Sequence, residues 1–169
     1  EGFPPLLIKG KKLKGGSVEV AGNVSSQYVS ALLMIGPTLE KGLELKLLGN
    51  VISRPYIDLT LNLMHEYGAD AEWTDVDTIT IRPKRYEERS YTIENDWTSA
   101  SYWYAILTLL NDRKSYIRFT GLKNGSRQGD SAIKYIFSLL GVKTCFADKE
   151  MDELTDVTIT QKPQKLPRL

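Results

Sequence analysis

The most constraining feature of this sequence is an internal repeat of predicted elements. In the first half, alternation predicts strands over "GGSVEVAG" and "LELKLLG", and helical periodicity predicts amphipathic helices over "SSQYVSALLMIGPTL" and "YIDLTLNLMHEYG". Two further strands, "DAEWTDV" and "TITIRP", follow with a short turn between them. The order is βαβαββ, which favours a sheet covered by helices.

The second half repeats this order. Its predicted elements are strand "SYTIEND", helix "WTSASYWYAILTLLN", strand "SYIRFTGL", helix "GDSAIKYIFSLLG" and strands "VKTCFAD" and "TDVTITQ". Three pairs of residues keep one spacing of 73 positions: Ser26 with Ser99, Arg54 with Arg127, and Gly68 with Gly141. We therefore predict an α/β chain of the α+β type with two repeated βαβαββ units, residues 1–90 and 91–169. The alternative is two generic α/β units of similar length.

Composition excludes several classes of partner. A net charge of +1 produces no long-range field, so nothing indicates a nucleic-acid or membrane partner, and no apolar stretch is long enough to span a bilayer. The single cysteine, Cys145, cannot form an internal disulfide, which fits a reducing compartment. Its apolar surroundings in sequence predict a buried structural thiol rather than a nucleophile.

The stretch "GNVSSQYVSALLM" places small polar residues directly before a helix whose predicted inner face carries Tyr28, Ala31, Leu32 and Ile35. The serines have two possible roles. They cap the backbone N–H groups at the helix start, which is the commoner role, or they bind an anion there together with those N–H groups and the helix dipole. The local pattern leaves both roles open.

Other polar and aromatic residues are predicted to be structural. In "GSRQGD" we expect a turn with Asp130 as the N-cap of the following helix. His65 lies late in a predicted helix, where a surface position near the negative end of the dipole is expected. Trp73 and Trp103 are expected to belong to the core.

Four motifs in order resemble the middle of the EPSP synthase (3-phosphoshikimate 1-carboxyvinyltransferase) family. They are "GNVSSQYVSALLM", "VISRPYIDLTLNLMHEYGADAE", "IENDWTSASYWYAIL" and "GSRQGDSAIKYIFSLLG". The resemblance implies two domains of three βαβαββ units each, with the active site in the cleft between them; residues 1–90 would be a unit of the first domain and 91–169 a unit of the second. It also implies transfer of the enolpyruvyl group from phosphoenolpyruvate to the 5-hydroxyl of shikimate 3-phosphate, without a metal or organic cofactor.

The resemblance also implies roles for five residues. "SSQ" matches the family's shikimate-phosphate motif, so Ser25 and Ser26 would hold the 3-phosphate and Gln27 would lie beside the substrate ring, near phosphoenolpyruvate. This favours the anion-binding role of the serines over capping alone. "VISRPYID" implies that Ser53 and Tyr56 contact the same substrate, although a serine before a helix also has an ordinary capping role.

The segment "ENDWTSASYW" departs from the family pattern at two positions. Asn95 stands where the family usually has glycine, and Trp97 where it has a small residue. We expect Glu94 and Asp96 to cap and shape this crossover between the domains rather than to react.

The family's catalytic aspartate, lysine and glutamate would lie outside this chain. We therefore expect a piece of a longer protein, with no catalytic residue of its own and no activity when isolated. The longer protein is expected to be a cytoplasmic monomer that contributes to chorismate and aromatic amino-acid biosynthesis. Two alternatives are an enolpyruvyl transferase acting on UDP-N-acetylglucosamine, against which "SSQ" and "RPYID" argue, and a non-enzymatic α/β module whose serines only cap helices.

Overall fold

A computed structural model describes residues 3–148, 151 and 153–162. The chain divides into two compact units, Glu1–Arg89 and Ser90–Leu169. Each unit has its own sheet and its own hydrophobic core, and the described residues form two sheets and four α-helices. The predicted mixed α/β class is therefore confirmed.

The first unit has the predicted βαβαββ order. Its elements are β1 (Gly16–Ala21), α1 (Ser26–Ile35), β2 (Leu43–Leu48), α2 (Arg54–Glu66), β3 (Asp70–Trp73) and β4 (Thr78–Arg82). The sheet order is β1-β2-β4-β3, with β1 parallel to β2 and the other neighbours antiparallel. A parallel pair requires a crossover connection, and α1 supplies it.

The core of this unit lies between the sheet and the two helices. Alternation along β2 turns Leu43, Leu45 and Leu47 inward, while α1 contributes Val29 and Leu33. These residues share one buried cluster with side chains of α2 and β4. The helices thus cover one face of the sheet, as the predicted pattern requires.

The predicted inner face of α1 is wrong. Tyr28 is 70% exposed, Ile35 is 40% exposed, and Ala31 is exposed, while Leu32 is only partly buried. The helix carries apolar residues on more than one side, so periodicity alone permitted two faces. Packing against α2 and the sheet selects the side that carries Leu33.

The second unit contains α3 (Trp97–Leu110), β5 (Tyr116–Lys123), α4 (Ile133–Ser138), β6 (Val142–Phe146) and β7 (Leu154–Gln161). Its sheet order is β5-β7-β6, and both neighbouring pairs are antiparallel. The corresponding strands of the first unit, β2-β4-β3, have the same order and the same antiparallel pairing. The two units therefore repeat this part of the sheet.

The strand predicted over "SYTIEND" is wrong. Residues 90–96 have no strand structure. β5 has an irregular register with β7 around Gly121 (φ +68°), and the segment contacts β5 at this point. Asn95 N–H donates to the Gly121 carbonyl (2.8 Å), and the Glu94 carboxylate accepts from Lys123 N–H (2.8 Å). One backbone hydrogen bond and one side-chain hydrogen bond thus hold this segment against β5 in place of a strand ladder.

The spacing of 73 positions holds for the first strand that the two sheets share and for the glycine that follows the second helix of each unit. β2 begins at Leu43 and β5 at Tyr116. Gly68 and Gly141 both adopt left-handed backbone (φ +80° and +86°), a conformation that glycine adopts without a steric penalty. Gly68 lies two residues before β3, and Gly141 lies directly before β6.

The same spacing fails where the first helix of each unit begins. The N-caps are Ser25 for α1 and Asp96 for α3, which are 71 positions apart. Ser26 is therefore the first residue of its helix, whereas Ser99 is the third of its own. The predicted equivalence of Ser26 and Ser99 is wrong by two residues, because the carboxylate of Asp96 caps the helix earlier.

The core of the second unit forms around aromatic side chains. Trp97 and Tyr104 are fully buried, and the Tyr104 ring stacks on Phe119 with centroids 6.2 Å apart. Trp103, predicted to be core, is 50% exposed because it lies outside the buried face of α3 that carries Trp97 and Tyr104. In the first unit, Trp73 is partly buried against the core.

Two further predictions have opposite outcomes. Cys145 is exposed rather than buried, because alternation along β6 turns Val142 inward and Cys145 outward. His65 is exposed in the last turn of α2, as predicted.

None of the helices in the described part of the chain has the length and apolar character needed to cross a membrane.

Candidate functional site

The starts of α1 and α2 lie at one edge of the first sheet. β1 and β2 run parallel and end at the paired residues Ala21 and Leu48, and each strand leads through a short loop into its helix. Gly22 N–H donates to the Leu48 carbonyl (2.7 Å), and Ile52 N–H donates to the Gly22 carbonyl (3.2 Å). Ligands of open α/β sheets commonly bind at the carboxyl ends of parallel strands.

Close approach between the two loops favours glycine at position 22. A Cβ atom at Gly22 would lie 3.1 Å from the Asn50 carbonyl oxygen and 3.2 Å from that of Leu48. Farther along the helices, the hydroxyls of Ser30 and Thr60 form a hydrogen bond of 2.7 Å. These contacts fix the start of α1 beside the start of α2.

The start of α1 combines donors without an acidic residue. Ser25 is the N-cap, and its Oγ accepts from Gln27 N–H at 3.4 Å, a long hydrogen bond. Ser25 and Gln27 are exposed, and Ser26 is half-buried. The capping bond uses Ser25 Oγ as acceptor, so its own O–H can still donate. Capping and anion binding are therefore compatible roles for this serine.

The start of α2 differs because Ser53 adopts a left-handed backbone (φ +63°, ψ +33°) and makes no side-chain capping bond. Its expected alternative role, ordinary capping, is therefore not what the structure shows. Pro55 lies in the first turn, and Tyr56, whose N–H donates to the Ser53 carbonyl (3.0 Å), is 46% exposed. Left-handed backbone at a residue with a Cβ costs about 1–2 kcal/mol, and such strain concentrates at functional sites.

This strain gives a stability prediction. Ser53→Gly is expected to raise the free energy of unfolding by about 0.5 kcal/mol, because relief of the left-handed strain exceeds the entropy that glycine adds to the unfolded chain. Asn111→Gly is the matched comparison. Asn111 also has positive φ (+45°), but asparagine tolerates this conformation better, so the gain in stability should be smaller. Urea unfolding measures both, and a Ser53→Gly protein less stable than the parent would contradict the prediction.

Arg54, the first residue of α2, connects this helix to the β3–β4 turn. Its guanidinium lies over the Trp73 ring, 4.0 Å from the centroid, and Nη1 donates to the Val76 carbonyl (3.2 Å). The Trp73 indole N–H in turn donates to Asp58 Oδ1 (2.8 Å). This cluster was not predicted from the sequence, where its only signal is the placement of Arg54 and Asp58 four residues apart on one helix.

The start of α3, in the second unit, already carries a carboxylate. Asp96 accepts from Thr98 N–H and Ser99 N–H, both at 3.0 Å, and from the Ser99 hydroxyl at 2.6 Å. The hydrogen bond from that hydroxyl is the main reason that the pKa of Asp96 lies below its ordinary value of 3.8. A negative charge thus occupies this helix start.

Glu94 and Asp96 cap and shape the segment before α3, as predicted, whereas Asp130 is not the predicted N-cap. Glu94 accepts from the Trp97 indole N–H (2.8 Å) and the Ser126 hydroxyl (2.8 Å), which shapes the segment before α3. Asp130 was expected to be an N-cap, but Gln128 occupies that position before the short 3-10 helix. Asp130 instead lies within the first turn, where it accepts a hydrogen bond from the Thr98 hydroxyl.

Asp96 gives a prediction for acid conditions. Its folded pKa is depressed, so its stabilisation is present above pH 3.8 and is lost as the pH falls through the lower folded pKa. Asp96→Asn keeps a capping acceptor and removes the titration. We expect the stability difference between parent and variant to shrink as pH falls below 3.8 in acid-dependent urea unfolding. A difference independent of pH would contradict this role.

The part of the chain that the structure describes contains no candidate metal site. Its His, Cys, Asp and Glu side chains form no group of three or more that could hold a metal ion.

Comparison with known proteins gives consistent matches. Residues 1–168 match the family model described as EPSP synthase (3-phosphoshikimate 1-carboxyvinyltransferase). A relative of that name from Bacteroides fragilis (strain YCH46) is 50% identical over 148 residues, which cover 88% of this chain and 36% of the relative. A relative of the same name from Mannheimia haemolytica is 34% identical over 151 residues, covering 88% of this chain and 34% of the relative. The chain thus spans about a third of the length of these relatives.

Proposed function

Because the chain belongs to the EPSP synthase family, we propose that its first unit binds shikimate 3-phosphate within a longer enzyme. That enzyme transfers the enolpyruvyl group of phosphoenolpyruvate to the 5-hydroxyl of shikimate 3-phosphate and releases phosphate. The observation that carries the proposal is the pair of helix starts at one sheet edge, each with exposed or half-buried hydroxyl groups.

The 3-phosphate is assigned to the start of α1. A phosphate dianion there receives the backbone N–H groups that lack an intrahelical partner, the positive end of the helix dipole and the hydroxyls of Ser25 and Ser26. The first turn of α1 contains no acidic residue to oppose it. Hydrogen bonds to a charged phosphate are stronger than those between neutral groups. The two serines are therefore assigned to binding the phosphate, and no proton transfer is assigned to them.

The contrast with α3 supports the first unit as the phosphate site. Asp96 places a carboxylate at the start of α3, where it accepts the N–H groups that a phosphate would need. A dianion beside it would meet charge repulsion. The repeat therefore contains two similar helix starts, of which one suits an anion.

Ser53, Tyr56 and Gln27 are assigned to the rest of the substrate. Ser53 and Tyr56 lie at the start of α2, beside the phosphate position, and contribute hydroxyls for the polar groups of shikimate 3-phosphate. Gln27, exposed in the first turn of α1, contributes an amide beside the substrate ring, near phosphoenolpyruvate. These residues bind and orient the substrates, and no catalytic residue is assigned to this chain.

In the longer protein, residues 1–90 would belong to the first domain and residues 91–169 to the second. The chain would cross between the two domains at "ENDWTSASYW". We further propose that the longer protein needs no metal or organic cofactor, that it is a cytoplasmic monomer, and that it acts in chorismate and aromatic amino-acid biosynthesis. Its partners would be its two small-molecule substrates, without nucleic acid or membrane.

Phosphate release tests the proposal. A full-length protein that contains this chain is expected to release phosphate from phosphoenolpyruvate with shikimate 3-phosphate, and not with UDP-N-acetylglucosamine. The isolated 169-residue chain is expected to bind shikimate 3-phosphate without turnover, since it spans about a third of its relatives. Activity with the nucleotide sugar, or turnover by the isolated chain, would contradict the proposal.

A further inference from the structure

We propose that Arg54 is a positioning residue for the substrate: its stacking on Trp73 fixes the start of α2 and holds Ser53 in the left-handed conformation. The inference rests on the proposed function, because Ser53 is there assigned to shikimate 3-phosphate. It adds a residue that acts through Ser53 and does not itself touch the substrate.

The contacts of Arg54 point away from a direct role in binding. One face of its guanidinium lies over the Trp73 ring at 4.0 Å, and Nη1 is bonded to the Val76 carbonyl in the β3–β4 turn. Trp73 is itself held by its indole N–H bond to Asp58, one turn farther along α2. The Arg54 side chain therefore links the first residue of α2 to the β3–β4 hairpin. Asp58, on the same helix, also contacts this hairpin through its hydrogen bond with Trp73.

Ser53 needs such a link for a physical reason. It precedes Arg54, has φ +63°, and makes no side-chain capping bond that would compensate for this backbone. Strained conformations persist only where the surroundings over-determine them. Because Arg54 fixes the peptide that follows Ser53, the serine retains a hydroxyl that is not used for capping and is positioned before the substrate arrives. Preorganisation of this kind increases affinity by reducing the ordering cost of binding.

Affinity measurements on the 169-residue chain test the inference. Arg54→Ala is expected to weaken binding of shikimate 3-phosphate about tenfold, and Arg54→Lys about threefold, because an ammonium keeps the charge but stacks less well. Arg82→Ala is the matched control, since Arg82 is also exposed and bridges Asp70 and Glu72 at the other end of the same hairpin. It should leave affinity unchanged.

A double-mutant cycle distinguishes positioning from direct contact. If Arg54 acts through Ser53, Arg54→Ala should have little effect on affinity in a Ser53→Ala background. In the full-length protein, it should raise KM for shikimate 3-phosphate with little change in kcat. The Cα and Cβ chemical shifts of Ser53 should move away from left-handed values in Arg54→Ala, and this readout is independent of any ligand.

The outcomes separate this inference from the proposed function. Binding by the parent chain that Arg54→Ala leaves unchanged, or an undiminished loss in the Ser53→Ala background, would overturn the inference and leave the function standing. Absence of binding by the folded parent chain would overturn the proposed function and the inference with it. If Arg54→Ala does not fold, Arg54→Lys and Trp73→Phe provide the same comparison with smaller perturbations.

Discussion

Replacement of both Ser25 and Ser26 by alanine is expected to weaken binding of shikimate 3-phosphate at least a hundredfold. In the proposed site each hydroxyl would donate to a charged phosphate, and such a hydrogen bond contributes about 1.5–3 kcal/mol. Two losses of this size exceed the roughly 2.7 kcal/mol that corresponds to a hundredfold change in affinity. Isothermal titration of the parent and the variants measures the effect directly.

Unfolding measurements and a matched serine variant provide the controls for this loss of affinity. The Ser25 and Ser26 variants should lose less free energy of unfolding than of binding, because the capping bond of Ser25 is already long at 3.4 Å. Ser99→Ala removes a first-turn serine from α3, whose hydroxyl is bonded to Asp96, and should leave affinity unchanged. Equal binding constants for the parent and the double alanine variant would refute the phosphate assignment.

Trp97→Ala is expected to destabilise the second unit by about 3–5 kcal/mol, the usual cost of removing a buried aromatic side chain. Trp97 is fully buried, lies 6.4 Å from the Phe146 ring, and donates its indole N–H to Glu94. The substitution therefore creates a cavity and removes one hydrogen bond from a half-buried carboxylate.

Guanidinium unfolding, followed through amide signals of the second unit, measures this loss. Trp97→Phe keeps most of the ring volume and loses the N–H, so it should fall between the parent and Trp97→Ala. A loss below about 1 kcal/mol for Trp97→Ala would mean that the site collapses around the smaller side chain.

Strand positions were predictable where alternation also set burial. β2 has strict alternation of apolar and polar residues, and the structure turns its leucines inward as that pattern requires. The segment 90–96 has a similar pattern but forms no strand, because strand structure depends on a partner edge that sequence does not describe. At α1 and at Trp103, apolar residues cover more than one helix side, so tertiary packing alone chooses the buried side.

The candidate site was predictable to a different extent at its two helix starts. Small polar residues before an apolar helix indicated Ser25 as a cap or anion ligand without reference to tertiary structure. The left-handed backbone of Ser53 was not predictable, because serine rarely adopts it and neighbouring contacts have to stabilise it. The stacking of Arg54 on Trp73 joins residues distant in sequence, which periodicity cannot reveal.

The most direct test of the account is a titration of the ¹⁵N-labelled 169-residue chain with shikimate 3-phosphate, followed by amide resonances. We predict saturable shifts at Ser26, Gln27 and Ser53, at the starts of α1 and α2, with the amides of Thr98 and Ser99 at the start of α3 unchanged. Resonances of α1 that do not move at saturating ligand, or shifts of equal size at α3, would contradict the central claim.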